Sequence, residues 1–462
     1  MVTIIHAMLR ILSTALALVI GVAIARPAAQ DWLDGYRDPA ARLIKESQAT
    51  DFAWNRLAEL TDTFGPRLSG SDNLERAIAW AAAEMKKDGL ESRLERVTVP
   101  KWVRGDERLD MIQPAQQPIP MLGLGGSVAT PDAGIEAPVI VVTSMDDLKA
   151  KAAQVKGRIV LFNVPYTNYG TTVAYRSSGA SEAARLGAVA SLVRAVGPTG
   201  LRTPHTGSLG YAEDAPRIPA AAIPVEDAER FQRLQNRGVE IVVRLRMQAA
   251  AQPEMVPSSN VIGEIRGRDF PDEIVLLGGH FDSWDVGTGA SDDAVGCIVT
   301  WEAARLIKKL GLQPRRTIRV VLWTNEENGL RGANVYAKNR GAEAANHVLA
   351  LESDSGVFEP ASIGMTGSDP ARGVMERVMS LLAPLGLQAL GRSGGGADIG
   401  PIAQAGSVPM MSYSGDSTRY FTIHHTPADT IDRISKAEVS KAAAAIAVIA
   451  YVTADMPQRL PR

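Results

Sequence analysis

Acidic and histidine residues form short clusters in the second half of the chain. Each cluster follows an apolar run or opens a helical segment. They are His280 and Asp282 after IVLLGG, Asp292 and Asp293 in GASDDAVG, Glu326 and Glu327 after VVLWTN, Glu352 and Asp354 after HVLAL, and His424 and His425 after STRYFTI. Residues that follow neighbouring parallel strands meet at one edge of a sheet, so we expect these side chains to converge there.

Gathered carboxylates repel one another strongly unless positive charge lies between them. Lysine and arginine are scarce in these loops, which favours divalent metal, and two ions suit so many ligands better than one. Imidazole and carboxylate ligands without thiolate are typical of zinc, and less often of cobalt or manganese. Paired ions, about 3.5–4 Å apart, need a bridging carboxylate. Asp292 is the natural bridge, because it lies among small residues at the head of a helix.

The elements that must position these clusters alternate between apolar strands and long helices from residue 254 onward. DEIVLLGGH, TIRVVLWTN, HVLALE and VPMMSY are expected strands, and STRYFTI is interpreted as another. This alternation predicts an α/β fold with a mixed, largely parallel sheet and helices on both faces. Residues 39–89 are expected to be helical, with Ser71 or Asp72 as a cap, and LESRLERVTVP is expected to be an edge strand.

Residues 122–253 differ from the rest, with short strand-like runs separated by turns. They predict a small inserted α/β domain. Its histidine, His205 in RTPHTGS, is expected in a solvent-exposed loop.

Composition limits the classes of function. The 462 residues predict two or three domains, and 45% apolar with 22% charged residues is typical of a globular protein. A net charge of -2 argues against nucleic acid as a partner. The single cysteine, Cys297, excludes an intrachain disulfide and is expected to be a buried thiol.

The N-terminus has the pattern of a signal peptide. Arg10 precedes an apolar run that is shorter than the ~20 residues of a membrane-spanning helix, and Ala23-Ile24-Ala25 offers a cleavage site. We expect processing after Ala25 and export to the periplasm or medium. An uncleaved membrane anchor is the alternative, and no later segment is expected to be long and apolar enough to span a membrane.

The clusters resemble those of the M28 family of co-catalytic zinc peptidases, nearest its carboxypeptidase Q branch. The resemblance rests on HFDSWD, GASDD, NEENGLRG, ESDSG and HHTPADT, which occur in the family's order. It implies a three-layer zinc-exopeptidase (phosphorylase/hydrolase-like) domain formed by residues 26–121 and 254–462. It also implies that residues 122–253 are a protease-associated (PA)-like inserted domain.

The resemblance further implies a role for each matching residue. His280 and Asp354 would bind one zinc, Glu327 and His425 the other, with Asp292 as the bridge and Glu326 as the general base. His424 would be a neighbour without a ligand role. Physical reasoning adds Asp282, whose carboxylate is expected to accept the second imidazole N–H of His280.

Further candidates carry alternatives. Asp398 is expected near the substrate cleft or as a helix cap, and Tyr420 as an oxyanion donor or as packing. Trp284 and Asp285 are candidates for lining the pocket, and His347 is expected to be structural.

The expected function is an exported peptidase with two Zn²⁺ per chain that hydrolyses dipeptides and small peptides with free termini. An aminopeptidase acting on longer peptides is the first alternative, and a non-catalytic binding module of the same fold is the second. The resemblance leaves room for a homodimer, and the sequence does not define side-chain preference.

Overall fold

The computed structural model describes residues 31–198 and 200–462. The expected signal peptide lies outside these residues. Within them the chain forms two eight-stranded sheets and a two-stranded ribbon.

The strands are, in chain order, β1 (Glu91–Val99), β2 (Trp102–Val103), β3 (Glu107–Gln113), β4 (Gln117–Ile119), β5 (Leu122–Gly123), β6 (Ile135–Val142), β7 (Ile159–Phe162), β8 (Ala190–Arg194), β9 (Ala220–Ile223), β10 (Val242–Met247), β11 (Ala250–Ala251), β12 (Val256–Ile265), β13 (Phe270–His280), β14 (Arg316–Trp323), β15 (His347–Glu352), β16 (Ser362–Thr366), β17 (Leu390–Gly391) and β18 (Met410–Ser414).

The helices are α1 (Arg37–Gln48), α2 (Phe52–Phe64), α3 (Asp72–Lys87), α4 (Met145–Ala150), α5 (Tyr169–Arg185), α6 (Val225–Asn236), α7 (Val295–Lys309), α8 (Arg331–Arg340), α9 (Asp369–Met379), α10 (Gly400–Gly406), α11 (Ser417–Ile423) and α12 (Lys436–Asp455). Short 3-10 turns lie at Trp32–Tyr36, Ala152–Gln154, Gly341–Asn346, Ser380–Leu385 and Ile431–Arg433.

The larger sheet has a parallel centre and antiparallel edges. Its strand order is β1-β12-β14-β13-β15-β18-β16-β17. The four central strands β14, β13, β15 and β18 run parallel, whereas β1 with β12, β12 with β14 and β16 with β18 are antiparallel. The expected mixed α/β sheet, with an edge strand at residues 91–99, is confirmed.

Helices cover both faces of this sheet. On β13, Val275 and Leu277 pack into the core that includes α7 and α12, whereas Ile274 and Leu276 pack into the core that includes α8 and α10. Burial on both faces explains why β13 is a continuous apolar run and does not alternate. Ser71 caps α3 as expected, since its hydroxyl accepts the amide N–H of Leu74.

The smaller sheet has the order β4-β3-β10-β6-β7-β8-β9-β5, and it has apolar cores of its own. The ribbon of β2 and β11 brings the entering and leaving chain segments side by side. The expected start of this unit at residue 122 is wrong, because β3 already pairs with β10 from Glu107 onward. We call the part from Glu107 to Met247 the second-sheet unit.

STRYFTI is a helix, α11, and its interpretation as a strand is wrong. The carboxylate of Asp416 accepts the amide N–H of Thr418 and so caps the first turn. A segment of only seven residues is too short for its pattern to distinguish a strand from a helix.

In the described part of the chain, α12 is the one helix that is long and apolar enough to cross a membrane. The expectation that no such segment follows the N-terminus is therefore wrong. Most of α12 is buried against neighbours that include α7 and α1, and this position in the core accounts for its apolar composition.

Candidate metal centre

The predicted metal ligands lie where the central parallel strands end. β13 ends on His280, while Glu327 and Asp354 follow β14 and β15 within a few residues. His280 pairs in register with Trp323, the last residue of β14. The parallel register therefore brings these side chains to one edge of the sheet, as the sequence predicted.

Asp292 lies in a turn between β13 and α7. This turn covers Ala290–Ala294, and Asp292 itself has non-helical φ and ψ angles of -128° and 85°. One carboxylate oxygen, Oδ1, lies 3.0 Å from Nε2 of His280, and the other, Oδ2, lies 3.2 Å from Nε2 of His425. A carboxylate that faces two imidazoles in this way can bridge two cations.

Two further carboxylates complete a group of ligand atoms on each side of Asp292. Asp354 Oδ1 lies 3.4 Å from His280 Nε2, and Glu327 Oε2 lies 3.1 Å from His425 Nε2. Asp292 Oδ2 and Glu327 Oε1 are buried and have no hydrogen-bond donor among the described residues. Buried carboxylate oxygens without donors are costly unless a cation binds them. The residues present therefore fit a metal centre around Asp292.

The electrostatics of the site favour the entry of positive charge. Burial, together with the charge of Asp292, raises the pKa of Glu327 to about 7. Burial and the nearby Asp354 and Glu327 charges raise the pKa of Glu326 well above its ordinary value. A bound cation stabilises the charged form of such carboxylates.

Asp282 organises the loop that carries Glu326 and Glu327. Its carboxylate accepts the backbone N–H groups of Glu326 at 3.0 Å and Glu327 at 3.3 Å, and the hydroxyl of Ser69 at 3.1 Å. Nδ1 of His280 instead lies 2.9 Å from the backbone carbonyl of Asp282. The prediction that the Asp282 carboxylate accepts the imidazole N–H is therefore wrong, because the backbone carbonyl fills that position.

Asp429 supports the bridging carboxylate and was not selected from the sequence. Its two oxygens accept the backbone N–H groups of Ser291 at 2.7 Å and Asp292 at 3.1 Å. Burial and the charge of Asp292 raise the pKa of Asp429 to about 7. Its place in HHTPADT, four residues after His425, was the signal available.

Arg67 is a second buried residue that sequence reasoning missed. Its guanidinium donates to the backbone carbonyls of Phe281 at 2.9 Å, Thr288 at 2.8 Å and Gly289 at 3.2 Å, all in the loop before Asp292. A fourth carbonyl, that of Gly65 on its own segment, also accepts from it. Arg67, in the segment between α2 and α3, thus fixes the loop that precedes Asp292.

A cavity of roughly 580 Å³ opens beside the ligand atoms, and both sheets contribute to its walls. Its lining residues include Tyr169, Arg176 and Ser208 from the second-sheet unit, and Glu326, Asn328, Tyr420 and Phe421 from the larger sheet's side. The rings of Tyr169 and Phe421 stack at 5.1 Å across the junction. The second-sheet unit is therefore part of the site.

A loop of the second-sheet unit holds His425 at two points. The backbone N–H of Thr206 donates to the carbonyl of His425 at 3.0 Å, and the carbonyl of Thr206 lies 3.2 Å from His425 Nδ1. His425 has a φ of 60°, in the left-handed region that non-glycine residues rarely adopt. These contacts stabilise that conformation and aim Nε2 at Asp292.

His205, the neighbour of Thr206, is 2% exposed, so its expected place in a solvent-exposed loop is wrong. Burial, with the charge of His425, lowers the pKa of His205 to about 3. The loop is buried because it packs against the segment that carries His425.

His424 also reaches the centre. Its Nε2 lies 3.4 Å from Asp292 Oδ2, and its ring stacks on that of His425 with centroids 3.5 Å apart. Of these two histidines, only His425 also forms a close contact with Glu327 in the described part of the chain. The geometry thus favours His425 as the ligand, while bringing His424 closer to the site than the sequence suggested.

The secondary candidates divide between the cavity and the core. Tyr420 lines the cavity, and burial with the charge of Asp292 raises the pKa of its phenol, which keeps the O–H as a donor. Asp398 is buried beside Glu352, outside the cavity lining, and α10 begins without a side-chain cap. The predicted helix cap is therefore wrong. Burial and the charges of Glu352 and Glu326 raise the pKa of Asp398, so its carboxylate lies close to Glu326 but behind the cavity wall.

Trp284 and Asp285 lie next to the site without lining the main cavity. The Trp284 ring packs edge-on against His425 at 5.6 Å and joins an apolar core of the second-sheet unit. Asp285 forms an ion pair of 2.6 Å with Arg104.

His347 is structural as predicted, because it is buried between the hydroxyl of Tyr336 and the carbonyl of Ala344. Cys297 is buried as expected.

Comparisons with known proteins agree with this site. Residues 260–450 match the family model described as peptidase family M28. Carboxypeptidase Q from Homo sapiens is 47% identical over 416 residues, which cover 90% of this chain and 88% of that protein. Aminopeptidase YwaD from Bacillus subtilis (strain 168) is 25% identical over 432 residues, covering 89% and 88%.

A solved structure shows the same fold over most of its length. The crystal structure of a peptidase M28 precursor from Shewanella amazonensis SB2B has a TM-score of 0.89 and 36% sequence identity, and the match covers 93% of this chain and 99% of that one. Because these similarities extend over both sheets and include the ligand clusters, the chain belongs to peptidase family M28.

Proposed function

We propose that this peptidase is an exported enzyme with two zinc ions per chain, which hydrolyses dipeptides and other small peptides with free termini. The observation that carries the proposal is the position of Asp292, whose Oδ1 faces His280 and whose Oδ2 faces His425 on the other side. His280 and Asp354 would hold one ion, and Glu327 and His425 the other, with Asp292 shared. Two such ions, when bound, supply Lewis acidity that polarises the scissile carbonyl and acidifies water.

Glu326 acts as the general base in this proposal. Its carboxylate lines the cavity beside the predicted ligands without being one of them, so it is free to take up a proton and release it again. The Asp282 carboxylate holds the backbone of Glu326 in place. Glu326 takes the proton of the attacking water and passes it to the leaving amine. The protonated phenol of Tyr420 is placed to donate to the developing oxyanion.

The shape of the cavity supports small substrates. Tyr169, Arg176 and Ser208 close one side of it, so the second-sheet unit limits how far a peptide extends past the metal centre. We assign this unit, in a position that corresponds to a PA-like domain, the role of a wall of the substrate site. Similarity to carboxypeptidase Q supports an exopeptidase that cleaves at a C-terminus.

An aminopeptidase that acts on longer peptides is the second candidate. Similarity to aminopeptidase YwaD supports it, and the metal centre by itself serves both activities. A non-catalytic binding module is disfavoured, because every predicted ligand position and Glu326 are intact. The N-terminal sequence pattern supports export, and a homodimer is compatible with the proposal.

Hydrolysis of a free dipeptide, its N-acetylated form and a pentapeptide tests the proposal. The free dipeptide should be the best substrate, and N-acetylation should abolish hydrolysis. Comparable turnover of the pentapeptide from its N-terminus would support the aminopeptidase instead. Glu326→Gln should retain zinc and lose about 10²–10⁴-fold in kcat. A purified protein that binds no metal would favour the binding module.

A further inference from the structure

We propose that Arg176 binds the C-terminal carboxylate of the substrate and thereby selects dipeptides. The inference rests on the proposed function and names the group that would give it this specificity. Arg176 lies on α5 of the second-sheet unit, and its side chain lines the cavity next to the predicted ligand His425.

Arg176 is a buried cation without an anionic partner. It is 4% exposed, and no carboxylate of the described residues forms an ion pair with it. Its guanidinium donates to the carbonyl of Thr206 at 3.2 Å and to the hydroxyl of Tyr169 at 2.9 Å, while its buried Nε has no acceptor. Burying an unpaired charge is costly, so the arrangement favours an anion that arrives with the substrate.

Other buried arginines of this protein donate to carboxylates or to several backbone carbonyls. Arg305 pairs with Glu302 at 2.6 Å, and Arg316 pairs with Glu273 at 2.5 Å. Arg67 has no carboxylate partner but donates to four backbone carbonyls that it holds in place. Arg176 differs from these arginines because it has no carboxylate partner, its Nε donor has no acceptor, and its side chain lines the cavity.

The position of Arg176 matches the length of a dipeptide. Its Nη1 lies 3.3 Å from His425 Nδ1, so a single imidazole ring separates the guanidinium from the ligand group of Glu327 and Asp292. In a dipeptide, the free carboxylate lies one residue beyond the scissile carbonyl, a span of roughly 3.5 Å. A guanidinium beside the metal centre therefore reaches the carboxylate of a dipeptide and not that of a longer chain.

A role limited to orienting His425 explains the structure less well. The carbonyl of Thr206 already faces His425 Nδ1 at 3.2 Å and fixes the orientation of the ring. Gly207, which follows Thr206, leaves the space that the guanidinium occupies, because a Cβ there would lie 2.2 Å from Arg176 Cζ. The loop is thus shaped around the guanidinium.

The test compares Leu-Ala with Leu-Ala amide, which differ only in the terminal carboxylate. Wild-type kcat/KM should favour the free acid by about 100-fold, the range expected for a buried charge pair. Arg176→Gln should remove most of this preference by slowing hydrolysis of the acid far more than that of the amide, and Arg176→Lys should restore part of it. Arg194→Gln is the matched control, since Arg194 is a mostly buried arginine of the same unit that pairs with Glu229. It should keep the wild-type preference.

Zinc content and thermal midpoint are measured for each variant. A variant that slows both substrates equally would overturn the assignment and indicate a role in positioning His425. If Arg176→Gln does not fold, inhibition of the wild-type enzyme by alanine and alaninamide replaces it. Alanine should inhibit at least about tenfold more strongly, and equal inhibition would overturn the assignment.

Failure of the proposed function gives a different result. A wild-type enzyme that hydrolyses neither dipeptide contradicts the proposed function and the inference together. A wild-type enzyme that hydrolyses both equally contradicts only the assignment of Arg176.

Discussion

The Oδ1 atom of Asp282 accepts a hydrogen bond from the backbone amide of Glu326 at 3.0 Å. The two residues come from the ends of neighbouring parallel strands, β13 and β14. The second oxygen of Asp282 faces the amide of Glu327, so one buried carboxylate fixes both the predicted base and a predicted ligand. Such supporting contacts determine how accurately a metal site is built.

Replacing Asp282 with asparagine should therefore impair catalysis. The amide side chain keeps one acceptor oxygen but turns an NH₂ group toward one of the two backbone amides. We expect a loss of about 10–100-fold in kcat/KM for a free dipeptide. Asp285→Asn is the control, because Asp285 pairs with Arg104 and does not contact the Glu326 loop. Wild-type activity in Asp282→Asn would show that this contact is unimportant.

The two adjacent histidines should differ in their effect on metal content. His425→Ala removes an imidazole that lies beside both Asp292 and Glu327, whereas His424→Ala removes one that lies beside Asp292 alone. Zinc per chain, measured by atomic emission, should fall from about two to about one in His425→Ala and stay near two in His424→Ala. The reverse order would identify His424 as the ligand.

His347 should make the protein less stable in acid. Burial lowers its pKa to about 3, below the ordinary 6.5, so the folded protein keeps the ring neutral while the unfolded chain protonates it. Its contribution is fully present above pH 6.5 and is lost as the pH falls from there toward 3. At pH 5 the loss should be ~2 kcal/mol of unfolding free energy.

Urea unfolding at pH 7.5 and pH 5 measures this loss, with chelator present so that metal release does not contribute. His347→Gln should have a smaller drop between the two pH values than wild type. Tyr336→Phe is the control, because it removes the hydroxyl beside His347 Nε2 but leaves the titrating ring. An unchanged drop in His347→Gln would contradict the assignment.

Much of the fold followed from local patterns in the sequence. The continuous apolar run of β13, the alternating β1 and the serine cap of α3 each have a signature that depends on a few adjacent residues. The segment STRYFTI has no such signature, since seven residues are too few to distinguish a strand from a helix. The second-sheet unit began earlier than expected, because pairing between β3 and β10 joins segments more than a hundred residues apart.

The same division applies to the site. Residue types and their places at the ends of elements selected the acidic and histidine clusters, and the resemblance to the M28 family selected His280, Asp292, Glu327, Asp354 and His425 within them; the structure brings these five together. Supporting contacts were not predictable, because they use backbone atoms or distant segments. The Asp282 carbonyl, Asp429 and Thr206 are examples.

By itself, the sequence determined the class of chemistry, because the number and kinds of charged side chains limit which cofactor they can hold. Tertiary structure alone decided which carboxylate oxygen faces which partner, and that the second-sheet unit supplies a wall of the cavity with Arg176 in it. The physical reason is the distance along the chain over which each property is set. Residue type and periodicity are local properties, whereas the burial and the partner of a charge depend on chain segments that only folding brings together.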